Sequence, residues 1–275
     1  MPELPEAETI VRGLRRTVVG ETIDHVRVAR PDVLRQSRSS FAAGVIGHRI
    51  AAIERRGKNV LIQLDQARLI AVNLGMTGGL LPFRAPPRGA ARPTHAAITF
   101  RFGSGGCLVF NDTRRFGTVE ALDETTWRAR SSRMGPEPLA RGYRPSHLHA
   151  ALQHSRSPIR SWLLDQRRVA GIGNIYANEA LFLAGLHPQR PARNVGREEA
   201  YALHAHLREV LNAAIEAGGT TIRDYRNADG GQGEYVRRLN VYGRNEEECL
   251  LCGTEIQRIV FGGRSAFFCP GCQVL

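Results

Sequence analysis

Lysine is nearly missing from this chain. Of its 38 basic residues only Lys58 is lysine, and the rest are arginine. A codon bias toward arginine accounts for that background. It also makes the survivor informative, because a compact ammonium and a planar guanidinium are not chemically interchangeable. No apolar run approaches the ~20 residues that cross a bilayer, so no membrane helix is expected. The first residues lack a basic region followed by an apolar stretch, so no secretory signal is legible and a cytoplasmic chain is expected. Cysteines are few, five in 275 residues, and without a secretion signal disulfides are not their expected use. No internal repeat of useful period is present.

Acidic residues are also outnumbered. A net charge of +12 predicts a polyanionic partner, since each phosphate neutralised by a cation releases condensed counterions. Hydrophobic content of 42% is enough for real cores, and the length suits one large domain or two ordinary ones.

The chain begins "MPELPEAETI", a start too constrained and too acidic for a loose tail. Residues 3–19 read as a helix. Pro5 suits its first turn, Glu6 and Glu8 its positive end, and Arg12, Arg15 and Arg16 its negative end. Ala7, Ile10, Val11, Leu14 and Val18 fall on one face, and Gly20 follows. From about 22 to 122 the runs "NVLIQL", "LIAVNL", "AAITFRF" and "CLVFND" alternate with turn residues, which predicts a sandwich or barrel. "MGPEPLARGYRP" reads as an interdomain linker. Beyond it the chain turns helical, with Leu203, Leu207, Val210, Leu211, Ala214 and Ile215 as the stripe of a long helix near 197–217. The expected fold class is α+β in two domains. Residues 1–133 form an N-terminal β-sandwich with a leading helix, 134–145 a linker, 146–236 a helical region and 237–275 a terminal hairpin. The polar stretch 227–234 reads as a mobile loop.

The last segment holds "CLLC" and "CPGC". Cys249, Cys252, Cys269 and Cys272 fit C-x2-C-x16-C-x2-C, the spacing of a tetrahedral structural zinc. Four thiolates leave no position for a catalytic water, so one zinc per chain is expected to staple a hairpin. Arg264 follows the Gly-Gly turn of that hairpin, where a cation can meet a phosphate or stay solvated. Cys107, in an apparent strand, reads as a buried small hydrophobe.

With both ends in view, the chain resembles the bacterial formamidopyrimidine-DNA glycosylase family. The resemblance rests on "PELPEAE", "RRGK", "NLGMTG", "NDTRRFG", "MGPEPL", "LLDQ", "GIGNIYANEALF", "HP", "NVYGR" and the four-cysteine hairpin. It implies a helix–two-turn–helix motif in the helical region. It also implies a base-excision glycosylase and AP lyase for oxidised purines such as 8-oxoguanine. Its partner would be double-stranded DNA carrying oxidised bases or abasic sites, bound by a monomer associated with the nucleoid.

In that family the initiator Met is removed and Pro2 is the nucleophile. Glu3 would be the proton donor, and Glu6 a supporting carboxylate or simply a dipole partner. Lys58 and Arg264 would act on phosphate and in elimination. Met76, Arg114 and Phe116 would fill the space left by a flipped base, although Met76 and Phe116 also suit a sandwich core. His95, Arg115, Asn174, Arg167 and Tyr242 would contact DNA. The loop 227–234, with Thr220, Thr221, Arg223 and Tyr235 around it, would close over the base.

Three departures stand out: Arg167 in place of a usual lysine, "RNEEEC" ahead of the first Cys, and Asn178 where an acid is frequent. Two other readings remain. One is an endonuclease VIII-like enzyme for oxidised pyrimidines, disfavoured by Leu4 and the Met76/Arg114/Phe116 set. The other is a non-catalytic damaged-DNA-binding protein, which would need neither Pro2 nor Glu3.

Overall fold

The acidic start folds as helix α1 (Leu4–Arg15), with Pro5 in its first turn and Arg12 and Arg15 in its last. It ends four residues before the sequence periodicity suggests. The Thr17 hydroxyl bonds the carbonyls of Gly13 and Leu14, and the β-branched Thr17-Val18-Val19 run disfavours another turn. In the computed structural model residues 2–221 and 231–275 are described. The chain divides into two units, Met1–Ser132 with Ile215–Glu234, and Arg133–Ala214 with Tyr235–Leu275.

In the first unit β1 (Ile23–Val28) and helix α2 (Arg38–Val45) precede β2 (Ile50–Arg56), β3 (Asn59–Leu64) and β4 (Arg68–Asn73). There follow β5 (Gly78–Phe83), β6 (Ala96–Phe102), β7 (Cys107–Asp112), β8 (Thr118–Asp123) and helix α3 (Glu124–Ser131). Two antiparallel sheets form, in the orders β1-β6-β7-β5 and β2-β3-β4-β8. One core holds Ile10 and Leu14 of α1, Ile62 and Val72 of one sheet, and Phe100 and Phe110 of the other. This is the expected sandwich with its leading helix. Burial of each such side chain is worth about 1.5–3 kcal/mol, so the start of α1 is firmly anchored. Trp127 of α3 covers Leu61, Leu69 and Ala71 on the opposite face of the second sheet. Cys107 is 1% exposed, and burial raises its thiol pKa.

The second unit contains α4 (Pro145–Gln153), α5 (Ile159–Leu164), α6 (Asn174–Leu183), most of α7 (Arg197–Glu216), and the hairpin β9 (Gln257–Phe261) and β10 (Arg264–Phe268). Residues 134–145, read from the sequence as a linker, are pinned to this unit. Gly135 donates its N–H to Gln166, and Ala170 donates to Pro136. The hairpin shares a core with α6, in which Phe182 meets Val241, Ile256 and Phe267. The segment after α7 groups instead with the first unit. There the Glu234 N–H bonds Ala217, and a Cβ on Gly233 would come within 2.1 Å of the Gly219 carbonyl.

Two histidines of the second unit resist protonation. Burial lowers the pKa of His187 and, as its largest cause, of His204 below the usual 6.5. His204 Nε2 lies 2.9 Å from the Tyr143 carbonyl, to which it donates. Below about pH 6.5 the unfolded chain takes up protons that the fold resists, so stability present at neutral pH is lost on acidification. The melting temperature is expected to fall between pH 7.5 and 5.5. His204→Gln, which keeps a donor but has no titrating ring, should show a smaller fall; an equal fall would remove His204 from the account.

Candidate active site and nucleic-acid interface

Glu3 occupies the N-cap of α1 and Glu6 its third position; each side chain is 1% exposed. Glu6 uses its two oxygens on two backbone donors, the Glu3 N–H at 2.7 Å and the Thr220 N–H at 2.8 Å. The helix macrodipole favours an acid there, but the contacts go further. A carboxylate expected to be supporting or merely electrostatic ties the Pro2–Glu3 backbone to the stretch that leads into residue 222. Pro2 is itself buried. Glu6→Gln would turn an amide NH2 toward one of the two N–H groups and leave a buried donor unmet, a loss of about 1–3 kcal/mol. Thermal denaturation should register it, and excision should fall with it; an unchanged melting point would show the clamp to be dispensable. Arg223 and residues 227–230 of the expected closing loop lie outside the described residues, whereas Thr220, Thr221 and Gly231–Glu234 lie within them. Tyr235 is 4% exposed and packs against Tyr176 within the second unit.

Lys58 occupies the turn between β2 and β3, where Arg56 pairs with Asn59 and Gly57 supplies φ +57°. A two-residue hairpin with glycine first presents its second residue rigidly. The half-buried Lys58 is thus held on a short lever.

Met76 and Phe116 are not core residues: they are 37% and 56% exposed. The Arg114 guanidinium stands 4.8 Å from the centre of the Phe116 ring. Arg115 adopts φ +56° and reaches Asp32 at 3.5 Å. His95 lies at the surface beside Thr94 and Thr113, its N–H bonded to Asn111. An apolar pair and an adjacent cation, presented together on loops, suit insertion into a base stack.

In the second unit the "GIGN" stretch turns through Gly171, at φ +88°, into α6. Gln166 of "LLDQ" braces that turn, accepting from the Gly171 N–H and donating to the Leu164 and Ile172 carbonyls. Asn174 opens the helix. Its Oδ1 accepts from Arg160 at 2.6 Å and its Nδ2 donates to the Ser265 carbonyl at 3.0 Å. Arg160 is 1% exposed, also bonds Ser265, and stacks on Phe261. Burial and then the charge of Arg264 lower its pKa. Asn178, the departure on α6, accepts the Phe267 N–H and so joins helix to hairpin. Arg167 is 80% exposed and forks onto Asp165. Tyr242 packs on Phe267, its N–H held by Glu179. Glu179 is fully buried and accepts from Asn240, Val241 and Tyr242. Arg264 begins β10 after Gly262 and Gly263, both at positive φ, and is exposed.

Sequence reasoning missed Arg160 and Glu179. Arg160 is one arginine among many. For Glu179 the only available signal was an acid inside an otherwise apolar helical run.

The four ligand sulfurs of Cys249, Cys252, Cys269 and Cys272 lie within 4.8 Å of one another. Three pairs are separated by 3.9, 3.4 and 3.4 Å. These separations are far beyond a disulfide bond of about 2 Å. They are close to the ~3.8 Å edge of a tetrahedron with zinc–sulfur bonds of about 2.3 Å. Hydrogen bonds from Thr254 hold the Cys252 thiol down at about 6, while burial raises Cys269 and Cys272. Thiols so crowded can ionise together only around a cation. The donor set fits one structural zinc.

A basic protein with an exposed apolar pair and a cation on sandwich loops, a helix start braced by a buried arginine, and a four-cysteine hairpin belongs among the zinc-finger DNA-repair glycosylases. Three family models align along the chain. The formamidopyrimidine-DNA glycosylase N-terminal domain matches residues 1–119, its H2TH domain 134–226, and the zinc finger found in FPG and IleRS 246–274. A formamidopyrimidine-DNA glycosylase of Chloroflexus aurantiacus is 44% identical over 100% of this chain and 98% of its own. The MutM (FPG) protein of Thermus thermophilus superposes with a TM-score of 0.87 at 41% identity, covering 99% of this chain and 98% of its own. A Lactococcus lactis FPG variant, crystallised with DNA containing Fapy-dG, reaches 0.91 at 32% identity, with each chain fully covered. The chain belongs to the formamidopyrimidine-DNA glycosylase family, whose members are base-excision enzymes with glycosylase and AP-lyase activity. Among the described residues no helix is long and apolar enough to cross a membrane.

Proposed function

We propose that this protein excises oxidised purines, 8-oxoguanine and formamidopyrimidines, from duplex DNA and then cleaves the strand, with Pro2 as nucleophile after removal of Met1. The supporting observation is the clamped helix start, where Glu6 grips the Glu3 and Thr220 backbones at once. An α-amine has a pKa of about 8, so a usable fraction is neutral at physiological pH. Its nitrogen attacks the sugar C1′ as the glycosidic bond breaks, and the base leaves with that electron pair. Glu3 protonates the ring oxygen, the ring opens, and a secondary amine can then form only an iminium. The iminium draws electrons, so a C2′ proton is lost and the 3′ phosphate departs; a second elimination releases the 5′ phosphate. Hydrolysis frees Pro2.

Lys58 and Arg264 would hold phosphate and assist these eliminations. Asn174, His95, Arg115, Arg167 and Tyr242 would contact the strand, and Met76, Arg114 and Phe116 would occupy the vacated position. The protein would act as a monomer on the bacterial nucleoid. Paired oligonucleotides carrying 8-oxoguanine or an oxidised pyrimidine test the reading. Preferred release of the purine with a borohydride-trapped adduct supports it, and preference for the pyrimidine overturns the substrate assignment.

A further inference from the structure

The two loops that carry the wedge meet through one buried acid. Asp112 closes β7 and is 1% exposed. One carboxyl oxygen accepts the Thr77 hydroxyl, and the other accepts the Gly117 N–H at 2.8 Å. The Thr77 oxygen, 8% exposed as a residue, in turn accepts the Arg114 N–H at 2.9 Å. Each polar atom of this relay therefore has its complement. Around it the backbones touch. A Cβ on Gly75, at φ +60°, would lie 2.4 Å from both Phe116 C and Gly117 N, so no other residue fits there. Gly117 is equally confined, since its Cβ would meet the Phe110 ring at 2.7 Å. Met76 sits between Gly75 and Thr77, and Phe116 between Arg115 and Gly117.

We propose that Asp112 and Thr77 are positioning residues for base extrusion, locking the Met76 loop to the Arg114–Phe116 loop so that the three side chains enter the duplex as one preformed body. The inference rests on the reading that this trio replaces the flipped base. Extrusion costs a few kcal/mol in lost stacking and pairing. Side chains already ordered add little entropic cost of their own when they fill the space. Thr77→Val keeps the shape but leaves the Arg114 N–H and an Asp112 oxygen without a partner. Asp112→Asn keeps one acceptor oxygen for two donors, so its NH2 group must face either the Gly117 N–H or a Thr77 hydroxyl whose proton then has no acceptor. Thr77→Ser preserves the relay.

The test compares the full-length, zinc-loaded protein and these variants in single-turnover assays. One substrate is duplex DNA with 8-oxoguanine opposite cytosine, and the other is a single strand with a preformed abasic site, where nothing has to be extruded or replaced. Thr77→Val and Asp112→Asn are expected to slow excision from the duplex by about tenfold to a hundredfold, the scale of a misplaced group near the chemistry. Strand cleavage at the single-stranded site should fall at least about tenfold less, and Thr77→Ser should restore the duplex rate. Equal losses on both substrates, or a Thr77→Val protein as fast as the wild type on the duplex, would overturn the proposal. If Asp112→Asn fails to fold, the Val/Ser pair at Thr77 carries the comparison. A wild-type protein inactive on the duplex would overturn the substrate reading instead, and the positioning inference with it.

Discussion

A preparation that retains Met1, or carries one extra residue ahead of Pro2, is expected to lose base excision and the borohydride-trapped DNA adduct together. An acylated proline nitrogen has no free electron pair to offer C1′ and cannot form an iminium. In the proposed mechanism both half-reactions pass through that atom. Removing a nucleophile on which covalent catalysis depends costs at least about a thousandfold. Glu3 cannot compensate, because a carboxyl group has no equivalent electron sink. Mass spectrometry of the purified protein establishes the state of the terminus. Gel electrophoresis after borohydride reduction, with single-turnover excision beside it, reads the outcome. Full-speed excision by a blocked terminus would place the nucleophile elsewhere and return the acidic helix start to a purely structural role.

Stripping zinc, or changing Cys249 to serine, is expected to weaken binding to lesion DNA by about a hundredfold or more. The hairpin's core is small and shared with Phe182 of α6, and in it Cys249 and Cys269 are buried beside Val241, Ile256 and Phe267. A four-thiolate zinc contributes roughly 10–16 kcal/mol of folding free energy in isolated fingers, so little holds residues 246–274 without it. The loss spreads beyond the finger. Ser265 of β10 accepts from both Arg160 and Asn174, and Phe267 donates to Asn178. Freed from the hairpin, the start of α6 keeps its glycine turn but loses the strand that sets the Asn174 side chain. Metal analysis should find one zinc per chain, and fluorescence anisotropy with an abasic-site duplex should follow its removal. Undiminished DNA binding by the metal-free protein would show that the finger is a bystander.

Much of this was legible along the chain because it depends on local chemistry. The β-rich runs "NVLIQL" and "AAITFRF", set off by turn residues, appear directly as β3 and β6. The cysteine spacing identified a metal donor set, since two C-x2-C pairs sixteen residues apart suit a tetrahedral zinc. The one lysine among so many arginines marked a turn residue later found on a glycine-led hairpin. By contrast, the 134–145 segment looked like a linker because prolines and glycines break periodicity. It is ordered by hydrogen bonds to Gln166 and Ala170, whose positions no local rule supplies.

What the sequence determined by itself was composition-driven and short-range: a basic chain suited to a polyanionic partner, two kinds of secondary structure, a thiolate metal site, and an amine beside an acid at a capped helix start. Only the tertiary structure decided how buried polar groups find partners far along the chain. Glu6 reaches Thr220, Arg160 reaches Asn174 and Ser265, and Asp112 reaches Thr77. A hydrogen bond requires approach to about 3 Å at a defined angle, and neither quantity is encoded in spacing along the chain. The candidate reactive groups were therefore visible as residues, while the arrangement around them exists only once the chain has folded.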